Sequence, residues 1–397
     1  MEPTILCLHS SADLYGSDRS LFRLVSSSLP YRFIVVLPYR GPLTQELENA
    51  GIRVITLPLA VIRRSLFNPL GLVRLAWSCV QQFYSLRRLI KEENVGLVLA
   101  NTTAVLGGEW VAKCAAVPYI QYVREIIEKP AFVAKFFSMR TLWAERVVCV
   151  SEGTRKNFVS QFPPISERTE VIHNGIHVGR FADGDREKVR QELNIGRDEL
   201  VFGTLGRISP FKGMDFFLDG AIEFLNRDPK KQVTFLIVGS AFQGQEWREE
   251  ELETRIRDSG LSHQIKRIAF REDVADVMAA LDVFVLPSMQ PDPFPTVVLE
   301  AMASGKPVIG TNFGGVPEMV VSDQRVAEAQ GPVIEKLTGV LVEAGNVPEL
   351  AHAIQVLVDD SELRLNMGQD GKARCNERFT VERYYKNASR LFEGCLK

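Results

Sequence analysis

The chain has few cysteines, few histidines and no long apolar run, and each shortage argues against a class of protein. Its six cysteines (Cys7, Cys79, Cys114, Cys149, Cys375 and Cys395) are scattered without CxxC spacing. That pattern speaks against structural zinc or a disulfide framework and reads as buried, reduced thiols. The five histidines form no HExxH or comparable ligand pattern, so no metal site is expected. Charges interrupt every apolar stretch well short of the ~18 residues a membrane-spanning helix needs. The opening segment, MEPTILCLHSSADLYG, has neither a basic leader nor a sustained apolar stretch, so no signal peptide is expected and the chain reads as cytoplasmic. No strand-to-helix junction carries G-x-G-x-x-G, which weighs against a dehydrogenase.

What is present is the composition of a globular protein, 46% hydrophobic and 24% charged, in a chain of 397 residues that is too long for one ordinary core. Two domains are therefore expected. The net charge of −2 hides an asymmetry: residues 1–180 hold 21 basic against 14 acidic side chains, a balance of +7, which leaves −9 for the remainder. A basic first half facing an anionic partner is one reading, and uneven surface charge without function is the other.

Short β-branched runs alternate with helical patterns, the signature of parallel sheets wrapped by helices. The first set of expected strands is 4–9, 33–37, 53–57, 96–100, 119–123 and 146–150; the second is 200–206, 233–239, 265–270, 283–287, 307–311 and 339–342. Two such groups predict an α/β protein of two Rossmann-like, doubly wound parallel-sheet domains, 1–178 and 179–380. The boundary lies in the polar stretch HNGIHVGRFADGD (173–185). Ligands of such sheets bind at the carboxyl ends of the strands. The last helical stretch, 381–395, is amphipathic through Tyr384, Tyr385, Ala388, Leu391 and Phe392. It caps the second domain or, the reading adopted for 381–397, crosses back onto the first. Between Leu66 and Ile90 another helical pattern repeats Val73, Ala76, Trp77, Val80, Phe83, Tyr84 and Arg87, accompanied by Arg63, Arg64, Arg74 and Arg88. A basic face mixed with Trp and Phe suits a membrane surface, although most such helices cover a sheet.

The chemistry-bearing residues gather in the second half. Strand 200–206 ends in Gly206-Arg207, and the loop ISPFKG brings Lys212 five residues on. A guanidinium fork and a mobile ammonium at a strand's carboxyl end can converge on a diphosphate. An enzyme that uses no metal needs such cations on its leaving group. Taken alone the pair is a weak signal, because basic loop residues are commonly just solvated. The stretch VFVLPSMQPDPFPTVVLEAMASGKPVIGT then reads as strand, irregular loop, helix and strand. Pro293 and Pro295 hold the loop open, and a helix is expected near Thr296, whose hydroxyl can cap it. The N–H groups of Thr296 and Val297 would face the strand ends as a phosphate site. Glu300, about one turn on, can accept two hydrogen bonds from a ribose, while Asp292 would reach the transferred sugar. Each carboxylate singly is equally a solvated loop or helix residue.

With these residues in place, the chain resembles the GT-B glycosyltransferases of family 4. The resemblance rests on Arg207, Lys212 and the acidic-x7-Glu element of DPFPTVVLEAMASGKPVI, with VVCVSEGTRKNF (147–158), VIHNGIHVGRF (171–181), DVFVLPS (282–288) and NFGGVPEMV (312–320). It implies a GT-B fold with an interdomain cleft, an acceptor-binding first domain and a donor-binding second one. It further implies a retaining, metal-independent hexosyltransferase that takes its sugar from a UDP- or GDP-sugar and passes it to a glycan or lipid-linked acceptor, as in polysaccharide biosynthesis. No cofactor and no nucleic acid enter that reading. By resemblance Arg207 and Lys212 hold the diphosphate, Glu300 the ribose and Asp292, in place of the usual Glu, the donor sugar. Gly206 and the turn of Phe294, Pro295, Thr296 and Val297 belong to the phosphate site. Phe270 and Arg271 fall where the base edge is met, without the common FxG form. In the first domain Gly16 and Ser17 stand where the family usually has Gly-Gly beside the diphosphate. Arg124-Glu125, on the acceptor side, replaces a His followed by an acidic residue, and Arg124 cannot serve as a base at neutral pH. A basic, aromatic-bearing first domain, including AFVAKFFSMRTLW (131–143), fits a lipid-linked or otherwise anionic acceptor at a membrane surface, with an anionic membrane surface as a further partner. The alternatives are a nucleotide-sugar 2-epimerase and a catalytically silent nucleotide-sugar-binding protein.

Overall fold

The β-branched runs pair into two parallel sheets in the computed structural model, which describes residues 2–63, 68–322 and 336–396. Arg64 and Leu66 lie outside the described residues. The first sheet contains β1 (Thr4–Leu8), β2 (Arg32–Leu37), β3 (Arg53–Thr56), β4 (Val95–Ala100), β5 (Tyr119–Val123), β6 (Arg146–Cys149) and β7 (Thr169–Val171). Its spatial order is β3-β2-β1-β4-β5-β6-β7. The second contains β8 (Leu200–Leu205), β9 (Val233–Val238), β10 (Ile265–Ile268), β11 (Val283–Leu286), β12 (Val308–Thr311) and β13 (Gly339–Val342), ordered β10-β9-β8-β11-β12-β13. The doubly wound α/β class expected from the sequence is thus the observed one. Strands β1 and β9 are buried along their whole length, as parallel strands covered by helices on both faces must be. β7 was not among the expected strands: it is three residues long, and two of them, Thr169 and Glu170, are polar.

Gly175–Thr380 form one compact unit, and the chain on either side of it forms the other. In the first unit, helix Val381–Cys395 sends Tyr384, Ala388, Leu391, Phe392 and Cys395 into the same core as Ile5, Val35 and Leu97. Phe392 meets Tyr31 edge to face at 5.5 Å. The second unit packs Phe202, Phe217 and Phe224 around Phe235. Helix Pro69–Glu92 turns Gly71, Gln82, Leu86, Leu89 and Ile90 inward. Most of the apolar residues that marked it in the sequence face outward instead: Val73, Trp77, Val80 and Tyr84 are exposed. The cysteines are unpaired, and four are buried, but Cys114 is exposed and Cys79 half-buried, so the buried-thiol reading fails at Cys114.

Candidate functional site

In each sheet the winding reverses beside its first strand, between β1 and β4 in one and between β8 and β11 in the other. A crevice opens at such a point at the carboxyl ends of the strands, and that is where open α/β sheets bind ligands. In the second unit the sequence-derived residues gather there. Gly206 and Arg207 follow β8, and the loop to Gly213 carries Lys212. The loop after β11 carries Asp292 and Phe294.

The two loops are joined by backbone. Met289 N donates to the carbonyl of Phe211 at 2.8 Å. Gly213 has φ +70°, and a Cβ there would stand 1.8 Å from the carbonyl oxygen of Pro287, so only glycine allows this approach. A third loop, after β12, closes on the second: Gly315 N donates to the Asp292 carbonyl at 2.9 Å. The side chains follow the backbone. Lys212 Nζ donates to Asp292 Oδ2 at 2.5 Å, and the Arg207 guanidinium lies over the Phe242 ring, 3.6 Å from its centroid. Phe242, in the loop after β9, was not picked out from the sequence, because a lone loop phenylalanine gives no signal until its neighbour is known.

Helix Thr296–Ala303 begins at the expected residue, but its cap is Pro295, and the Thr296 hydroxyl does not cap it. A proline cap offers no side-chain oxygen; Val298 N turns back to the Pro295 carbonyl at 3.1 Å, and the N–H groups of Thr296 and Val297 keep their capacity for an outside acceptor. Phe294 beneath them is buried and packs edge to face with Phe379 at 5.7 Å. Thr296, Val297 and Glu300 are half-buried. Phe270, beyond edge strand β10, is largely exposed. Its neighbour Arg271 is fully engaged, paired with Asp273 at 2.6 Å and with Glu192 at 2.6 Å. Those two carboxylates, Asp273 first, hold the guanidinium above its usual range.

In the first unit the crevice between β1 and β4 is bridged by buried polar groups that the sequence analysis did not single out. His9, directly after β1, is fully buried. Its Nε2 lies 2.6 Å from Asp18 Oδ1, and its Nδ1 lies 3.2 Å from Asn101 Nδ2, just after β4. Asn101 Oδ1 accepts from Arg124 Nε at 3.1 Å. Arginine only donates, so the Asn101 amide nitrogen must face His9. His9 Nδ1 is then an acceptor, and Nε2 carries the proton given to Asp18. Asp18 also accepts from Ser11 Oγ at 2.6 Å and Tyr15 N at 2.8 Å, so the loop after β1 and the first turn of helix Gly16–Val25, which Gly16 and Ser17 open, are wrapped around one carboxylate. Burial alone would raise the Asp18 pKa, but the hydrogen bonds from His9, Ser11 and Tyr15 hold it below its usual value. Arg124 Nη1 and Ser20 Oγ both donate to Asn174 Oδ1 at 2.8 Å. Glu125 turns aside to accept from Thr103 Oγ1 at 2.9 Å. A Cβ on Gly16 would meet nothing within 4 Å, so the protein's own packing does not require glycine there.

Among the described residues no group of three or more His, Cys, Asp or Glu side chains could hold a metal ion. A cavity of about 620 Å³ in the first unit opens among Gly96, Tyr119, Trp143 and Arg168. It sits at the amino ends of β4 and β5, away from the loops that carry the polar chemistry, so the switch points rather than this hollow are taken as the site.

The model of the family described as Glycosyl transferases group 1 matches residues 185–374, and that of Glycosyltransferase Family 4 matches residues 26–180. A D-inositol 3-phosphate glycosyltransferase of Corynebacterium kroppenstedtii is 28% identical over 259 residues, 64% of this chain and 54% of that protein. The chain spans about half the length of the curated relatives it matches. Among solved structures, Anabaena HepE in complex with UDP and glucose is 26% identical with a TM-score of 0.81, covering 98% of this chain and 99% of that one. Sucrose-phosphate synthase of Thermosynechococcus elongatus shares the fold at 18% identity, with a TM-score of 0.75 and 99% of both chains covered.

Proposed function

The chain belongs to the family 4 glycosyltransferases of the GT-B fold, and from that premise we propose that it is a metal-independent, retaining hexosyltransferase. Its donor is a UDP- or GDP-sugar and its acceptor a glycan or lipid-linked molecule presented at the inner face of a membrane, as in polysaccharide biosynthesis. The observation that carries this reading is the convergence at the β8/β11 switch point of Arg207, Lys212, Asp292 and the uncapped start of helix Thr296–Ala303. Two cations and a helix N-terminus at one crevice suit a diphosphate. Supporting it, the relative HepE was solved with UDP and glucose. The phosphorylated polyol in the name of the curated relatives agrees with an anionic acceptor.

The reaction follows from that placement. The bond between the sugar's anomeric carbon and the diphosphate oxygen breaks as Arg207 and Lys212 take up the charge developing on the leaving group. An acceptor hydroxyl attacks the anomeric carbon from the same face, and its proton passes to the departing phosphate oxygen. Atoms balance without a protein nucleophile, and Arg124 need not act as a base. Asp292 leaves Lys212 for the sugar hydroxyls as the diphosphate takes its place, and Glu300 holds the ribose. A thermal-shift screen of UDP- and GDP-sugars should find one selective stabiliser, since a ligand that binds the folded state raises its melting temperature. Proton NMR of early product should then show the donor's anomeric configuration. An inverted anomer refutes same-face transfer.

A further inference from the structure

Helix Pro69–Glu92 is apolar on two opposite sides. At ~100° per residue, Leu70, Val73, Trp77, Val80 and Tyr84 fall on a stripe roughly opposite the inward face of Gln82, Leu86 and Leu89. All five are exposed, Leu70 by 71%, Trp77 by 62% and Tyr84 by 70%. Between Gly71 and Gln82 no residue of the helix is buried. Over this stretch the inward side is only half-buried, through Leu75, Ser78 and Cys79, while the outward stripe lies in solvent. A second exposed apolar set lies nearby: Trp110 on helix Gly108–Cys114, and Phe136, Met139 and Trp143 on and just after helix Ala131–Arg140. Trp110 and Trp143 are 6.1 Å apart, with Lys113 Nζ 4.6 Å from the Trp143 ring centre. Helix Gly108–Cys114 packs against both helix Pro69–Glu92 and the Thr141–Trp143 turn, so the two sets are neighbours.

Charge decides what covers them. Helix Pro69–Glu92 carries Arg74, Arg87, Arg88 and Lys91 against one acidic residue, Glu92, which pairs with Arg88, and the neighbouring set adds Lys113 and Lys135, while Arg140 is paired with Glu109. The 3-4-3-4 spacing of the stripe would also suit pairing with a second copy, but that would set two faces flanked by Arg74, Arg87 and Lys91 against each other, and like charges repel. An anionic lipid surface complements both properties at once. Apolar and aromatic side chains enter the headgroup–acyl boundary, while arginines and lysines meet the phosphates.

We propose that this face of the first unit docks on an anionic bilayer, with helix Pro69–Glu92 lying in the plane of the interface. The inference rests on the reading of a membrane-presented acceptor, and it names the surface that would bring the first unit to it. The test uses the whole chain and sedimentation with vesicles, either phosphatidylcholine alone or equimolar phosphatidylcholine and phosphatidylglycerol. Wild type should pellet with the anionic vesicles and not with the neutral ones, and added salt should weaken the binding. The double variant Trp77→Glu, Tyr84→Glu should bind anionic vesicles at least tenfold less, with its melting temperature in buffer unchanged because both side chains are solvated. Vesicles carrying brominated acyl chains should quench wild-type tryptophan fluorescence, a readout that needs no variant. Absence of wild-type pelleting, absence of quenching, or equal binding by a folded double variant overturns the proposal. So does a solution dimer that the double variant converts to a monomer. If vesicles bind but neither UDP nor GDP shifts the melting temperature, the docking face stands and the donor reading falls.

Discussion

Lys212 and Asp292 stand 80 positions apart in the chain and 2.5 Å apart in space. The sequence offered both as ligand contacts but could not pair them, because the pairing depends on β8 and β11 being neighbours, and strand order is not a local property of sequence. The ion pair is part-exposed, Lys212 by 37%, so it contributes only ~0–1 kcal/mol to stability. Lys212→Ala should therefore leave circular dichroism and melting temperature nearly unchanged. Turnover, followed as release of UDP or GDP, should fall about 100-fold or more, the cost of removing one stabiliser of transition-state charge. A collapsed spectrum would mean that the residue is structural. Gly16 gives a second single-residue test. Its Cβ position is open, so Gly16→Val should fold as wild type. If the space serves a ligand, the variant should raise KM for donor or acceptor at least tenfold in steady-state kinetics. Unchanged kinetics would remove Gly16 from the site.

Among the elements, strands were the most legible, because buried parallel strands are near-continuous β-branched runs such as VTFLIV in β9. The short polar β7 and the cap at Pro295 were not, since both are set by what surrounds them. The least legible stretch was that from His9 to Asp18, a loop that runs into the first turn of helix Gly16–Val25. Its residues are common loop types, and only the fold shows that one buried carboxylate collects His9, Ser11 and Tyr15. That carboxylate makes a pH prediction. Its folded pKa lies below its usual value, and that of the unfolded chain is about 4. The folded state therefore binds fewer protons than the unfolded one in the window between them. The stabilisation is complete above about pH 4 and is lost as pH falls through the lower, folded pKa. Asp18→Asn keeps the size but cannot accept from both His9 and Tyr15 N–H without an amide clash, and a mispaired buried group costs ~1–3 kcal/mol. Melting curves across pH 2–7 should show the variant less stable at neutral pH, with the difference shrinking in acid. A constant difference at all pH values would show that the carboxylate's charge plays no part.

On the scale of the whole molecule, the telling feature is that the first unit is built from two separated pieces of chain, with Gly175–Thr380 between them. The amphipathic pattern of 381–395 was readable, but which core it fills was not, because either sheet would accept an apolar helix face. The structure sends it to the first: Tyr384, Ala388, Leu391, Phe392 and Cys395 are each 5% exposed or less, and Tyr385 Oη donates to the Arg23 carbonyl at 2.9 Å. Burying a large apolar side chain contributes ~1.5–3 kcal/mol. Losing three such side chains at once thus removes an amount comparable with the ~5–15 kcal/mol that holds a typical domain together. Ending the chain after Thr380 should therefore unfold the first unit and spare the second, which keeps its sheet and the residues of the β8/β11 crevice. Limited proteolysis of the shortened chain should digest the part before residue 174 and leave a resistant fragment near 175–380. That fragment should still be stabilised by the nucleotide that stabilises the full chain. Because helix Val381–Cys395 follows the second unit in the chain, the first unit cannot complete its core until the second has been synthesised. A shortened chain that melts in one transition at the wild-type temperature would show that the helix adds nothing to that core.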